Sequence, residues 1–221
     1  MKRFVSAVLC SFMFLSGCSS TKQSVSSTTS TSEKTEIDTS APLTEQYDQL
    51  KDDSMFQLMQ KDNLKTFIEH GTGILYMSFP KCPWCQAYIP MLAEVLKEND
   101  MQAYYYNVRL DRDNDHDFYE DIANLLIEKN ASGDENVVRY DNDGNPLIYM
   151  PLTLFIENGE IKAWNGETNT NDSDVITPEK YWTDEKKENL KITLTDSVAQ
   201  IKKVQEENDA KGCDDSCSYG G

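Results

Sequence analysis

The chain has 221 residues, and its 21 lysines and arginines stand against 38 aspartates and glutamates, which gives a formal net charge of −17 at pH 7. Nucleic acid and anionic membrane surfaces would repel a chain of this charge, so neither is expected as a partner. Beyond its first residues the sequence has no run of about 20 apolar residues, which argues against a membrane-spanning architecture. The length fits one domain with appendages or two very small domains.

The first 17 residues have the pattern of a bacterial lipoprotein signal peptide. Lys2 and Arg3 are followed by an apolar core, Phe4–Leu15, which is too short to cross a bilayer as a helix. Small residues separate this core from Cys18, and the spacing resembles signals that are cut before a cysteine whose sulfur then receives a lipid. An ordinary signal peptide with an incidental cysteine is the alternative. We therefore predict an extracytoplasmic protein held at the cell membrane by a lipid anchor on Cys18.

The mature chain is predicted to have three parts. Residues 18–41 form a flexible tether, because serine and threonine make up most of it and such a segment cannot bury enough apolar surface to fold. Residues 42–211 form the folded domain. Residues 212–221 form a tail that contains Cys213 and Cys217.

The apolar pattern of the folded domain indicates an α/β fold with a mixed β-sheet flanked by helices. Strand, helix and strand with short connections are typical of a parallel sheet, and Asn-Gly is the strongest short hairpin signal. The predicted elements, in chain order, are an edge strand at 54–59, a helix ending at His70, a buried strand at 74–79, a helix at 83–98, a strand at 103–108, a helix capped by the acidic stretch 111–117, a turn at 141–144, a hairpin at 152–164 and a last helix with Leu194, Val198 and Ile201 on one face. The tyrosine run at 104–106 is expected to be sheet core and rim.

A Cys-Pro-Trp-Cys motif at residues 82–85 lies where the predicted buried strand gives way to a helix. Residues three apart in a helical turn share one face, so the two sulfurs can approach bonding distance. Pro83 suits the first helical position, and Cys82 is then the N-cap, where free backbone N–H groups and the positive helix end stabilise a thiolate. Lys81 adds a positive charge beside it. We therefore expect Cys82 to attack and the more buried Cys85 to resolve.

The same motif is compatible with half of a zinc site or with a structural disulfide. A zinc site with four thiolates would require Cys213 and Cys217, whose spacing is allowed. The position of the motif, after a buried strand and at the start of a helix, favours the redox interpretation. For the tail cysteines two interpretations stay open: a second redox pair that exchanges electrons with Cys82 and Cys85, or a local disulfide.

Together with further positions, the motif resembles the thioredoxin superfamily. Pro90 follows Cys85 at the distance at which thioredoxins kink the helix that carries their active site. The segment Met150-Pro151-Leu152-Thr153 resembles the one in which a cis-proline faces the two cysteines, and Asn158-Gly159-Glu160 follows it at the family's spacing. The likeness covers residues 54–208, and among secreted or lipid-anchored members it is closest to bacteriocin transport accessory proteins.

The resemblance implies a thioredoxin-like fold and assigns roles to five residues. Cys82 is the nucleophile and Cys85 the resolving thiol. Pro151, with Met150 and Trp84, binds the substrate peptide beside the sulfurs. No bound cofactor and no metal are implied.

Three departures from the family pattern accompany the likeness. Lys81 replaces an aromatic residue before the first cysteine. Tyr76 replaces a buried carboxylate six positions before that cysteine, so no general base for Cys85 is evident. The acidic region 111–145 is predicted to be an insertion between the active-site helix and the cis-proline.

The sequence thus predicts a thiol–disulfide oxidoreductase that acts on disulfides or dithiols of exported proteins through a mixed disulfide on Cys82. Its partners are expected to be exported protein or peptide substrates and a redox partner protein, and the chain is expected to be a monomer. The direction of electron flow depends on the reduction potential of the pair relative to its compartment. The alternative is a metal- or peptide-binding chaperone lipoprotein that uses its thiols as soft ligands.

Overall fold

The computed structural model describes residues 41–166 and 177–210, which form a mixed β-sheet with helices on both faces. The predicted signal peptide and nearly all of the tether lie outside the described residues. So do Cys18, Cys213 and Cys217, on which the predictions of a lipid anchor and of a second cysteine pair depend.

Within residues 41–166 and 177–210, seven strands form two sheets. In chain order they are β1 (Phe56–Leu58), β2 (Gly73–Met77), β3 (Ala103–Tyr106), β4 (Arg139–Tyr140), β5 (Pro146–Leu147), β6 (Leu152–Glu157) and β7 (Glu160–Asn165). The main sheet has the order β1-β3-β2-β6-β7, and β4 pairs with β5 in a small hairpin. Strands β1, β3 and β2 run parallel, whereas β6 and β7 are antiparallel to their neighbours. The buried strand β2 is therefore central, as its continuous apolar sequence predicts.

Seven α-helices and one short 3-10 helix (Glu135–Val137) complete the described fold. In chain order the α-helices are α1 (Leu43–Gln46), α2 (Lys61–His70), α3 (Pro83–Glu98), α4 (Val108–Asn114), α5 (His116–Glu128), α6 (Pro178–Tyr181) and α7 (Asp184–Ala210). Helices α3 and α7 pack against each other, and α2 packs against α5. Within the described ranges, no helix combines the length and the apolar character that crossing a membrane requires.

Successive side chains of β3 point to opposite faces of the sheet, and their contacts show which helix covers each face. On one face Phe67 of α2 packs against Tyr104, with 4.8 Å between ring centroids. The next residue, Tyr105, lies on the other face beside Tyr76 of β2, its partner in the register. Tyr76 in turn stacks on Tyr88 of α3 at 5.8 Å. The helix that carries the cysteines therefore covers a face of the sheet that is rich in tyrosine.

The predicted mixed sheet flanked by helices is confirmed, and α3 has the predicted bounds. The prediction for residues 103–117 is wrong in one respect. Strand β3 ends at Tyr106, and residues 108–114 form α4 instead of the end of a strand and a cap. The cause is Asp111, which is buried and accepts a hydrogen bond from Tyr106 Oη at 2.5 Å while it pairs with Lys61 at 2.7 Å. These contacts hold a helical turn against the end of β3, and Asp115 alone caps α5.

The hairpin between β6 and β7 is tightly packed against the end of α2. Asn158 and Gly159 both have positive φ, as a two-residue turn of this kind requires. The backbone N–H of Gly159 donates to the Gly71 carbonyl at 2.9 Å, and a Cβ at Gly159 would lie 1.9 Å from the Glu69 carbonyl oxygen. Only glycine fits this approach of two backbones.

Candidate active site

The two cysteines lie where β2 leads into α3. Cys82 is the N-cap of α3, and Pro83 occupies the first turn, where its missing N–H costs no hydrogen bond. The backbone N–H of Cys85 donates to Cys82 Sγ at 3.3 Å, which closes the cap. Both cysteines are free thiols. The motif thus folds locally as its spacing predicts, with one sulfur at the helix terminus and the other one turn inside.

Hydrogen bonding stabilises the thiolate of Cys82. A hydrogen bond from the Cys85 thiol, opposed by burial and assisted by the N–H groups of Cys85 and Trp84, lowers the pKa of Cys82 from 9.0 to about 7. Burial raises the pKa of Cys85 well above its ordinary value, and the hydrogen bond to Cys82 adds to this effect. The contacts that stabilise the thiolate therefore come from the helix terminus and the second thiol. Lys81, which the sequence suggested as a contributor, is exposed and is not one of these contacts.

The low pKa of Cys82 predicts its pH dependence. Because only the thiolate is alkylated, the rate of reaction with iodoacetamide should rise about tenfold per pH unit below 7 and level off above about 8. Cys85 is fully buried and should not react in the folded protein. The control is Cys85→Ala, which removes the strongest hydrogen bond to Cys82 and should move the midpoint of the pH–rate profile to higher pH. A midpoint that stays near pH 7 in this variant would contradict the assignment.

Of the three predicted substrate-binding residues, Met150 contacts Cys82 directly. The Met150–Pro151 peptide bond is cis, as the resemblance implies. The Cys82 thiol donates to the Met150 carbonyl oxygen at 3.7 Å, and Pro151 is buried next to it in the chain. Trp84 is partly buried, and its ring meets that of Tyr181 edge-on at 5.4 Å. Residues about 70 positions apart in the sequence thus meet at Cys82.

Gln86 holds the loop before the cysteines, a role that no pattern in the sequence predicts. Its Nε2 donates to the carbonyl oxygens of Gln46, at 2.9 Å, and Pro80, at 2.6 Å. Its Oε1 accepts from the backbone N–H of Asp48 at 2.9 Å. One side chain therefore ties the segment after α1 to the loop that leads to Cys82.

Tyr76 occupies the place where the resemblance would put a carboxylate. Its side chain is fully buried, and its hydroxyl has no hydrogen-bond partner within residues 41–166 and 177–210. Burial raises the pKa of Tyr76 well above its ordinary value. The residue is therefore a neutral phenol, and it cannot act as the carboxylate would.

The unpartnered hydroxyl makes Tyr76→Phe a stabilising substitution. The variant keeps the ring and its stacking on Tyr88. It removes a hydroxyl that lost its hydrogen bonds to water on folding and formed none within the protein. We expect a gain of about 1 kcal/mol in the free energy of unfolding, measured by denaturant titration. The matched control is Tyr119→Phe, which removes a hydroxyl that accepts from the Ile148 N–H at 2.8 Å and should destabilise the fold. A loss of stability in Tyr76→Phe would mean that this hydroxyl has a partner.

A four-thiolate metal site in this chain would need ligands beyond the described residues. Among residues 41–166 and 177–210, no three His, Cys, Asp or Glu side chains are grouped so that they could hold a metal ion. The two cysteines of the motif could supply half of a tetrahedral thiolate set, and the alternative zinc site would need Cys213 and Cys217 for the other half.

These contacts define an α/β protein with a dithiol site at the N-terminus of a helix. Comparisons of the chain with protein-family models, with curated proteins and with solved structures find no match. Function is therefore inferred from the chemistry of the site itself.

Proposed function

We propose that this chain is a thiol–disulfide oxidoreductase with a thioredoxin-like fold. The observation that carries the proposal is the difference between its two thiols. Cys82 has a pKa near 7 and keeps a small exposed fraction, 6%, whereas Cys85 is fully buried and its pKa is raised. A thiol pair with one partly ionised nucleophile and one protonated partner is suited to exchange through a mixed disulfide.

The reaction proceeds in two steps. The Cys82 thiolate attacks a substrate disulfide, forms a mixed disulfide and releases one substrate thiolate. Cys85 then loses its proton and attacks Cys82 Sγ, which closes the Cys82–Cys85 disulfide and releases the second substrate thiolate. The same steps in reverse oxidise a substrate dithiol, and the reduction potential decides which direction dominates.

The surroundings of Cys82 support binding of an extended peptide. The Met150 carbonyl oxygen lies 3.7 Å from the sulfur, and the cis Met150–Pro151 bond directly precedes β6. The strand order, with parallel β1, β3 and β2 followed by an antiparallel hairpin, is compatible with the fold that the resemblance implies. The insertion predicted at residues 111–145 falls in the part of the chain that forms α4, α5 and the small β4–β5 hairpin. The lipid anchor on Cys18 and exported substrates complete the proposal.

The test measures exchange and metal content on the same purified full chain. The protein is reduced, mixed with a small-molecule disulfide, and assayed for released thiol and for the Cys82–Cys85 disulfide. The proposal expects two thiols released for each Cys82–Cys85 disulfide formed and no stoichiometric metal. Absence of exchange together with one bound zinc or copper ion per chain would refute it in favour of the metal-binding chaperone.

A further inference from the structure

An exposed tyrosine and an arginine lie next to the residue that contacts Cys82. Tyr149 directly precedes Met150, whose carbonyl oxygen is 3.7 Å from Cys82 Sγ. Met150 is buried, whereas Tyr149 is 43% exposed. The guanidinium carbon of Arg139 lies 4.7 Å from the centroid of the Tyr149 ring. An aromatic ring that carries a cation is therefore open to solvent beside the nucleophile.

The fold holds this pair in place from two sides. Arg139 belongs to β4 and pairs with Leu147 of β5, two residues before the exposed tyrosine. The backbone N–H of Ile148 donates to Tyr119 Oη at 2.8 Å, and Tyr119 is buried in α5. The segment that leads to the contact with the sulfur is thus fixed before a substrate arrives, which lowers the ordering cost of binding.

The charge of Arg139 is not neutralised by a neighbouring carboxylate. In the part of the chain that the structure describes, no aspartate or glutamate forms an ion pair within 4.0 Å with Arg139 or with Lys81, the exposed residue before Cys82. Asp134 is the carboxylate whose pKa Arg139 lowers, as one of the smaller effects on it, and it lies beyond this distance. Two positive charges beside the nucleophile can therefore pair with a bound ligand.

These charges act locally, although the net charge of the chain is −17. At physiological ionic strength exposed charges are screened over about 8 Å, so a bound substrate experiences the side chains beside it more than the whole chain. An extended peptide advances about 3.3 Å per residue, so residues within about five positions of a substrate cysteine can reach Lys81 and Arg139. Carboxylates at these positions would be attracted, and lysines would be repelled.

We propose that Lys81 and Arg139 form a cationic rim that selects substrates whose reactive cysteine has aspartate or glutamate within about five residues. The inference rests on the proposed oxidoreductase function and names the substrate class of that site. The Tyr149 ring holds the guanidinium, whose N–H groups can donate to a carboxylate. The exposed part of the ring offers apolar surface to the rest of the peptide.

The test compares two peptide probes on the reduced full chain. Each peptide has one cysteine in a disulfide with a chromogenic aromatic thiol, and the two differ only in carrying aspartates or asparagines at two positions beside it. Release of the aromatic thiol gives the rate constant for attack by Cys82. Each rate is divided by the rate with dithiothreitol, which corrects for the intrinsic reactivity of the disulfide.

We expect the aspartate peptide to react about 3- to 10-fold faster than the asparagine peptide at about 20 mM salt. The ratio should approach one at about 0.5 M salt, where exposed charges are screened over about 4 Å. This measurement uses the unsubstituted protein and does not depend on the folding of a variant.

Variants of the rim identify the groups responsible. Arg139→Gln and Lys81→Gln each remove one charge and should each lower the ratio, and the double variant should bring it to about one. The matched control is Lys203→Gln, which removes a charge from an exposed position of α7. Two residues further along α7, Gln205 donates to the Thr72 carbonyl, at the opposite end of β2 from the cysteines. The control should keep the ratio of the unsubstituted protein.

The possible results separate the rim from the proposed function. An aspartate peptide that reacts no faster than the asparagine peptide, or a preference that persists in the double variant or at high salt, would overturn the rim while the proposed function stands. If neither peptide releases aromatic thiol faster with the unsubstituted protein than with Cys82→Ser, the proposed function itself is refuted.

Discussion

Replacing Cys82 by serine is expected to lower the rate of disulfide exchange by more than about 10³-fold, because a hydroxyl at neutral pH supplies almost no anionic nucleophile. The fold should survive, since serine is a good helix N-cap and can accept the hydrogen bond from the Cys85 N–H that Cys82 accepts at 3.3 Å. The measurement is thiol release from a small-molecule disulfide, with the unfolding transition recorded in parallel.

The matched variant is Cys85→Ser, which keeps the nucleophile and removes the resolving thiol. It should still release the first thiol and then stop at a mixed disulfide on Cys82, which is visible as a mass increase that reductant reverses. In the producing cell, the same variant should accumulate covalent complexes with its substrates. If Cys82→Ser retains exchange activity, or if Cys85→Ser forms no mixed disulfide, the assignment of the two thiols is wrong.

Gly159→Ala is expected to destabilise the fold by more than about 3 kcal/mol, because two costs add at this position. A left-handed backbone, here with φ of +78°, costs a residue with a side chain about 1–2 kcal/mol. The new Cβ would in addition lie 1.9 Å from the Glu69 carbonyl oxygen, so the hairpin must move away from the end of α2. Denaturant titration of the full chain measures the loss.

Gly144→Ala separates the two costs. Gly144 also has a positive φ, +84°, but nothing lies within 4 Å of its Cβ position. It should therefore show only the backbone cost of about 1–2 kcal/mol. Equal losses in the two variants would mean that the hairpin accommodates the side chain without moving.

Local signals in the sequence account for the elements nearest the cysteines. A proline at the first helical position and a cysteine as N-cap predict where α3 begins, and the continuous apolar run before them predicts a central strand. The Asn158-Gly159 pair predicts the hairpin for the same kind of reason, because only a few residues tolerate positive φ. The placement of Met150 at Cys82 came from the resemblance and not from local patterns.

Local sequence signals do not predict features that depend on contacts between distant residues. The contact between Tyr47 and Tyr105 joins residues 58 positions apart. The sequence around each of them predicts only a tyrosine of the core. The prediction that the acidic residues after β3 only cap a helix was wrong for a related reason. An aspartate is rarely buried unless it is paired with a positive charge. The partner of Asp111 is Lys61, which belongs to a different helix.

The edges of the main sheet limit association between copies of the chain. One edge, β1, is only three residues long, which gives a second chain few backbone groups to pair with. At the other edge, Ile161 of β7 already bonds through its N–H to the Lys129 carbonyl and through its carbonyl to the Ala131 N–H. Charged Glu160 and Lys162 flank it. Even at high local concentration, the main sheet would therefore present little backbone from which strand-to-strand aggregation could begin.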